Sequence, residues 1–205
     1  PEGYRVYSLK TPSAEELRHD YLWRTSKLVP ERGQLGLFSR SYYEEVLVVR
    51  VNPAMLEKQR IPKQLATPNI WQDRLEDIRA FEKYLCRNGF PIRKFFLNVS
   101  REEQRKRFLR RVTQEDKHWK FSEDDLRDRE KWAEFRAAYE DAIRQTATPE
   151  APWYIVPADN KWFTRLVVVS AMIDTLESLH LAYPEIDEVK RKKMEAAHKR
   201  LMKEG

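Results

Sequence analysis

Four short apolar runs punctuate the chain at residues 4–9 (YRVYSL), 34–38 (QLGLF), 92–99 (IRKFFLNV) and 151–158 (APWYIVPA), and each is followed by a stretch that reads as helix. Strands separated by helices cannot pair through tight hairpins. They pair in parallel, through right-handed crossovers. The spacing therefore predicts an α/β fold with a parallel sheet flanked by helices.

The second run matters most. After Phe38 the chain passes abruptly into Ser39, Arg40, Ser41, Glu44 and Glu45, and residues 43–51 then read as a helix too densely apolar for one exposed face. These polar groups are expected at the carboxyl end of a buried strand, where open α/β sheets bind ligands.

The helices carry their own start and stop signals. Ser13 with Glu16 is a capping box that opens a helix to about residue 27, and Ser100 with Glu103 opens another to about residue 112. Asn69 is placed to cap a long helix through Arg87, which Asn88-Gly89 ends. Residues 52–68 contain three prolines and read as a surface loop. Within the first helix Asp20 and Arg24 stand four apart and are set for an ion pair, and His19 reads as a packed or surface histidine. Asp159 is placed to cap a helix over residues 162–181.

Residues 113–132 (TQEDKHWKFSEDDLRDREKW) are the most polar stretch. Ser122 is placed to cap a helix, and Lys117, Lys120, Arg127 and Arg129 cluster about its entry. A hinged basic flap over phosphates and a solvated charged face share this composition. From Pro184 a basic tail carries Ile186, Val189, Met194, Ala197 and Leu201 along one side, a stripe suited to the body of the molecule or to a second subunit.

A net charge of +6 favours anionic partners: nucleic acid, a membrane surface, nucleotides or polymeric phosphate. The aromatic residues fall on core stripes instead of interleaving with basic ones, which argues against nucleic acid. No run of about 18 apolar residues is present to span a membrane, and no stretch of these residues reads as a signal peptide. The single cysteine, Cys86, excludes an internal disulfide and a CxxC zinc site and suits a cytoplasmic protein. No GxSxG turn supports a serine hydrolase. Phosphate chemistry remains: Arg40 can fork to phosphoryl oxygens, and Glu44 and Glu45 can hold magnesium directly or through water.

In this order HDYLWR, GLFSRSYYEEVLVVRV, WQDRLEDIRAFEKYL, KFFLNVSREEQRKRFLRR, DKHWKFSEDDLRDREKW, AYEDAI and APWYIVPADNKWF resemble consecutive blocks of the type-2 polyphosphate kinase family, from about residue 4 to 183. The resemblance implies a P-loop kinase domain over residues 1–183 with a lid at about 113–132, leaving residues 184–205 as a basic helical tail. It implies Mg2+-dependent, in-line transfer of a phosphoryl group between inorganic polyphosphate and ADP, AMP or another nucleotide, in a cytoplasmic homo-oligomer with neither nucleic acid nor membrane as partner. The wording SRSYYEEV is closest to the subgroup that accepts both mono- and diphosphates.

Residue by residue, Arg40 matches an arginine that binds phosphoryl oxygens, and Glu44 a glutamate near nucleotide and metal. Glu45 stands where the family more often has aspartate and is the implied magnesium ligand; Ser39 stands where it has aspartate or asparagine, a departure that weakens any contact there. Arg74 matches an arginine of the helix that precedes the lid. Lys117, Lys120, Arg127 and Arg129 match the lid, and Asp20 and Arg24 join them as implied polyphosphate or nucleotide contacts. The family's GxxxxGK-type Walker A loop has no counterpart among the five glycines. The chain also opens at Pro1 instead of Met, so the expectation is a fragment truncated before that loop and its central strand, inactive alone, with a gap between the Leu35 and Phe95 strands. An ATP-dependent nucleotide kinase and a non-catalytic polyanion-binding module are the alternatives. If the tail is a subunit interface, deleting residues 185–205 will weaken self-association, and an unaltered sedimentation profile would reassign it to packing.

Overall fold

The computed structural model describes residues 3–204. Its strands form two parallel pairs: β1 (Tyr4–Ser8) with β2 (Leu35–Arg40), and β3 (Lys94–Asn98) with β4 (Trp153–Pro157). Among the described residues no ladder joins β2 to β3, so the four strands do not make one sheet. The chain divides into two compact units, residues 1–168 and 169–205, and the division falls within a helix.

In the first unit β1 and β2 run in register from Tyr4↔Leu35 to Tyr7↔Phe38, with the rings of Tyr7 and Phe38 5.0 Å apart. A bulge then pairs Ser8 with Arg40, so β2 continues two residues beyond the predicted end and Arg40 is its last residue. The strand is only partly covered and not buried as the apolar run suggested.

Between β1 and β2 the expected long helix is broken. The Ser13–Glu16 box forms, with Ser13 N donating to Glu16 Oε2 (2.6 Å) and Glu16 N to Ser13 Oγ (3.2 Å). It starts only one 3₁₀ turn, Glu16–Arg18, before the chain reopens and α1 (Trp23–Ser26) begins. Asp20 is the cause: its Oδ1 accepts the amides of Leu22 (2.9 Å) and Trp23 (3.2 Å), a local turn that competes with helix. The predicted Asp20–Arg24 pair is replaced by Arg24 Nε at 3.4 Å from Glu16 and Arg24 Nη2 donating to the Lys10 carbonyl (2.8 Å).

The predicted helix at 43–51 is likewise two pieces, a 3₁₀ turn Tyr42–Glu45 and the short α2 (Val48–Val51). Beyond a further 3₁₀ segment, Pro53–Gln59, come α3 (Ile70–Arg87) and β3, then α4 (Arg101–Thr113), capped by Ser100 Oγ on Glu103 N at 3.1 Å. The polar stretch holds a 3₁₀ turn, Glu115–Lys120, and α5 (Glu123–Glu130), in which Ser122 makes no side-chain cap. Lys131 separates α5 from α6 (Trp132–Thr146).

The core lies where α3 and α6 meet the 42–51 segment. Val46, Leu47, Val51, Leu75 and Ile78 pack against Ala138 and Ala142, whose small side chains let α6 approach closely. Inside this apolar cluster sit two charges. Lys94 Nζ donates to Glu82 Oε2 (2.5 Å), to the Thr146 carbonyl (2.8 Å) and to Tyr43 Oη (3.2 Å); Glu82 Oε1 accepts from Tyr42 (2.8 Å) and Tyr43 (2.9 Å). Burial pushes the Glu82 carboxyl up and the Lys94 amine down, and each charge opposes the shift of the other.

The helix α7 (Lys161–Ser178) follows β4 and crosses the division between the units. In the second unit α8 (Glu188–Leu201) is capped by Asp187, whose Oδ1 accepts Lys190 N (2.6 Å), and its apolar residues Val189, Met194 and Leu201 are exposed.

Removing one member of a buried pair strands the other charge. Lys94→Met is expected to cost about 3–5 kcal/mol of unfolding free energy in urea, and pairing it with Glu82→Gln should restore part of that loss; a single variant as stable as the parent would show that the pair does not hold the core.

Candidate functional site

Arg40 and Glu44 stand at the carboxyl end of β2. The turn that carries Glu44 and Glu45 begins at Ser41, whose Oγ accepts Tyr43 N (3.3 Å), and the two tyrosines that follow drive the turn into the core through Glu82. Their anchoring leaves Glu44 partly exposed while Glu45 is buried. Arg40 Nη1 is 3.8 Å from Glu44 Oε2, too long for a hydrogen bond, and its side chain is 54% exposed. A guanidinium so held has donors left for an anion.

Glu44 is about one third exposed, and its carboxyl is raised above the ordinary value, first by desolvation and then by the charges of Glu45 and Asp128, against which Arg40 and Arg24 pull downward. Tyr139 of α6 borders the same place: burial, together with Glu44, pushes its hydroxyl up to about 12.

Glu45 turns the other way. Its Oε2 accepts from Arg74 Nη1 (2.8 Å) and Gln59 Nε2 (2.6 Å), Arg74 Nη2 donates to Gln59 Oε1 (2.6 Å), and its side chain is only 9% exposed. Arg74 is buried as well, with its guanidinium 4.8 Å from the Tyr21 ring, so it faces the inside of the molecule. Ser39 Oγ donates to the Tyr7 carbonyl (3.2 Å) and stitches β2 to β1.

The basic residues of the polar stretch each meet a different partner. Lys117 contacts Gln114, and Lys120 lies 4.8 Å from the Trp119 ring, whose indole is among the most exposed apolar groups. Arg127 faces Glu123 and Asp124 of its own helix, while Arg129 donates to the Arg101 carbonyl (3.0 Å) and to Gln104 Oε1 (2.6 Å) on α4. Asp20 serves its turn, and Arg24 lies within electrostatic reach of Glu44.

Residues not foreseen complete the neighbourhood. Arg136 of α6 donates to Asn98 Oδ1 (2.8 Å) at the end of β3 and lies over Phe96, whose ring packs on Tyr139 at 4.5 Å. Asp128 accepts from Asn52 (3.0 Å). Asn98 was legible in principle, as the last residue of a strand in a parallel pair; Arg136 and Asp128 lie in helices where nothing local sets them apart.

Among the described residues no cluster of three or more His, Cys, Asp or Glu side chains could hold a metal by itself. A magnesium ion carried on phosphate oxygens needs only one or two carboxylates, and Glu44 is the partly exposed carboxylate at this strand end.

The family model for polyphosphate kinase 2 matches residues 1–183. An ADP-polyphosphate phosphotransferase of Rhodopseudomonas palustris is 46% identical over 204 residues, covering 99% of this chain and 71% of that protein. An AMP/ADP-polyphosphate phosphotransferase of Meiothermus ruber is 44% identical, covering 90% and 65%. The crystal structure of polyphosphate kinase 2 from Arthrobacter aurescens TC1 aligns with a TM-score of 0.85 at 36% identity, covering 96% of this chain and 66% of that one. The chain thus spans about two thirds of the length of these relatives.

Because the folded protein disfavours ionised Glu44, the carboxylate lowers stability as pH rises through its raised pKa, and the loss is absent in acid. Glu44→Gln is therefore expected to melt slightly higher than the parent at neutral pH and equally below about pH 4, with the difference kept small by solvent access. Scanning calorimetry at both pH values checks this, and a Gln variant that melts lower at neutral pH would contradict it.

Proposed function

The chain belongs to the polyphosphate kinase 2 family, and from that membership we propose that its protein transfers a phosphoryl group between inorganic polyphosphate and a nucleoside mono- or diphosphate. The observation that carries the reading is the Arg40–Glu44 pair, a largely exposed guanidinium beside a carboxylate at the end of a parallel strand. Such a pair binds phosphoryl oxygens on one side and a phosphate-borne cation on the other.

In this reading Arg40 forks to the oxygens of the transferring group and offsets charge as it builds. A bound magnesium ion would supply charge neutralisation; Glu44 would hold it, and Glu45 would share in that only on releasing Arg74 and Gln59. Arg74 then acts by orienting Glu45 and by fixing the 53–59 segment, not by touching substrate. Transfer is in line, without a covalent enzyme intermediate. Lys117, Lys120, Arg127 and Arg129 form a lid that closes over the polyanion, and closure requires Arg129 to leave α4 or to bring α4 with it. The GxxxxGK-type loop, not found in these 205 residues, belongs in this reading to sequence before Tyr4, with its strand between β2 and β3. The protein works in the cytoplasm as a homo-oligomer.

One observation favours a second reading. Without a GxxxxGK run the residues here retain anion-binding groups but no phosphate-cradling loop, which suits a polyanion-binding module. The full-length protein, given ADP, polyphosphate and Mg2+, separates these: ATP formation that a chelator stops supports the transferase. Polyphosphate binding without turnover leaves the module, and activity with ATP alone as donor leaves an ordinary nucleotide kinase. Arg40→Ala in that protein should lower kcat by about 10²–10³ and leave the melting temperature unchanged, since the side chain is exposed; wild-type kinetics would remove Arg40 from the site.

A further inference from the structure

The helix α5 has almost nothing apolar to hold it. Of its residues, EDDLRDRE, only Leu126 is apolar, it is 37% exposed, and none of them is buried. A helix this short is marginal by itself, so its place in the molecule depends on polar ties. Two tie points lie on α4: Arg111 Nη1 donates to Asp125 (2.8 Å), and Arg129 Nη1 donates to Gln104 Oε1 (2.6 Å) and to the Arg101 carbonyl (3.0 Å). A further tie runs the other way, from Asn52 Nδ2 to Asp128 Oδ1 (3.0 Å).

Asn52 stands where α2 ends, and that corner is fixed from behind, because Arg50 Nη1 donates to Asp141 of α6 (2.5 Å). At the break between α5 and α6, Lys131 Nζ donates to Asn52 Oδ1 (2.5 Å) and to the Val51 carbonyl (3.3 Å). One carboxamide therefore serves two groups of opposite charge: its NH2 gives to a carboxylate while its oxygen takes from an ammonium. The residue type matters here. An aspartate at 52 would repel Asp128, a lysine would repel Lys131, and an apolar residue would answer neither.

On the other side α4 is held in turn, with Asp159 Oδ1 accepting Ser100 N (2.7 Å) and Arg107 Nη2 donating to the Ala158 carbonyl (2.8 Å). So α5 is slung between two anchored elements, and Asn52 is its hold on the side of the Glu44 turn; Asp128 lies within electrostatic reach of Glu44. We infer that Asn52 is the latch of the lid, a positioning residue that keeps the root of α5 against the end of α2 and thereby fixes where the lid cations stand relative to the Arg40–Glu44 pair. With the latch open, α5 keeps its ties to α4 and loses its register with the phosphate side. The inference rests on the phosphotransferase reading for the use of the lid and adds to it the residue that sets the lid's position.

Asn52→Asp in the full-length protein puts a second carboxylate opposite Asp128 and opens the latch while Lys131 keeps its acceptor. Hydrogen exchange of the amides of residues 123–130, followed by mass spectrometry without substrate, should quicken about tenfold, the size of one lost hydrogen bond to a charged group, with exchange in α3 unmoved. The KM for polyphosphate should rise about tenfold while kcat stays within about threefold, since the lid cations hold the polyanion alike before and during transfer. Asn52→Asp combined with Asp128→Asn exchanges donor and acceptor at constant net charge, so both quantities should return to within about twofold of the parent. If Asn52→Asp fails to fold, Asp128→Ala, at a half-buried position, releases the latch from the α5 side and should give the same two changes. Unchanged exchange over 123–130 in a folded variant, or a double variant no closer to the parent than Asn52→Asp, overturns the assignment. So does an equal rise of exchange in α3, which would make Asn52 a support of the whole fold. The two readings fail separately: absence of any transfer from polyphosphate to ADP defeats the phosphotransferase reading, whereas normal transfer with exchange in α5 unmoved defeats only the latch.

Discussion

The Glu82–Lys94 pair, sealed between α3 and β3, is the interaction on which the rest of this structure depends. Two charges removed from water carry a desolvation penalty that their attraction alone seldom offsets. Here every strong donor and acceptor of the pair is answered: both oxygens of Glu82 accept, and Lys94 meets a carboxylate, a carbonyl and a phenol. Such an arrangement adds little net stability over apolar packing, but it tolerates only one geometry. Tyr42 and Tyr43 satisfy it from the turn that carries Glu44, so the position of the outward-facing carboxylate is set by a contact made in the core.

A second closed network lies beside it, in which Glu45, Arg74 and Gln59 bond to one another and tie the turn to the 53–59 segment. The outward pair, Arg40 and Glu44, is supported by these two networks and yet leaves its own charges poorly matched, at 3.8 Å. Rigid support behind and unsatisfied charge in front is what the proposed phosphate site would require, because donors already aimed need no reorganisation when charge develops.

The strand pairs are less complete than this interior. Parallel strands are ordinarily covered on both faces, whereas Val6 of β1, Leu97 of β3 and Ile155 of β4 are exposed, and neither pair continues into the other. The relatives that this chain matches are longer by about a third or more. Arg40, with Glu44 beside it, lies at the carboxyl end of β2, where parallel α/β folds bind ligands.

Much of the layout was legible from local chemistry. Strand–helix alternation specified parallel pairing; the Ser13–Glu16 and Ser100–Glu103 boxes formed as read; and Gly89 takes the left-handed conformation, φ 82°, expected after α3. These features depend on neighbours a few residues apart, and a sequence displays such neighbours directly. The family, too, was legible, since blocks such as GLFSRSYYEEV and APWYIVPADNKWF stand in order along the chain. What the tertiary structure alone decided was the partnership of charges. Adjacent glutamates at 44 and 45 look alike in sequence, but one faces solvent beside Arg40 and the other is claimed by Arg74 on α3, 29 residues away. Asp20 chose a turn over its helical neighbour Arg24, and Lys94, which reads as an ordinary strand lysine, became the buried counter-charge of Glu82. Charges pair with whatever folding brings within a few ångströms in a dry interior, and separation along the chain carries no record of that distance.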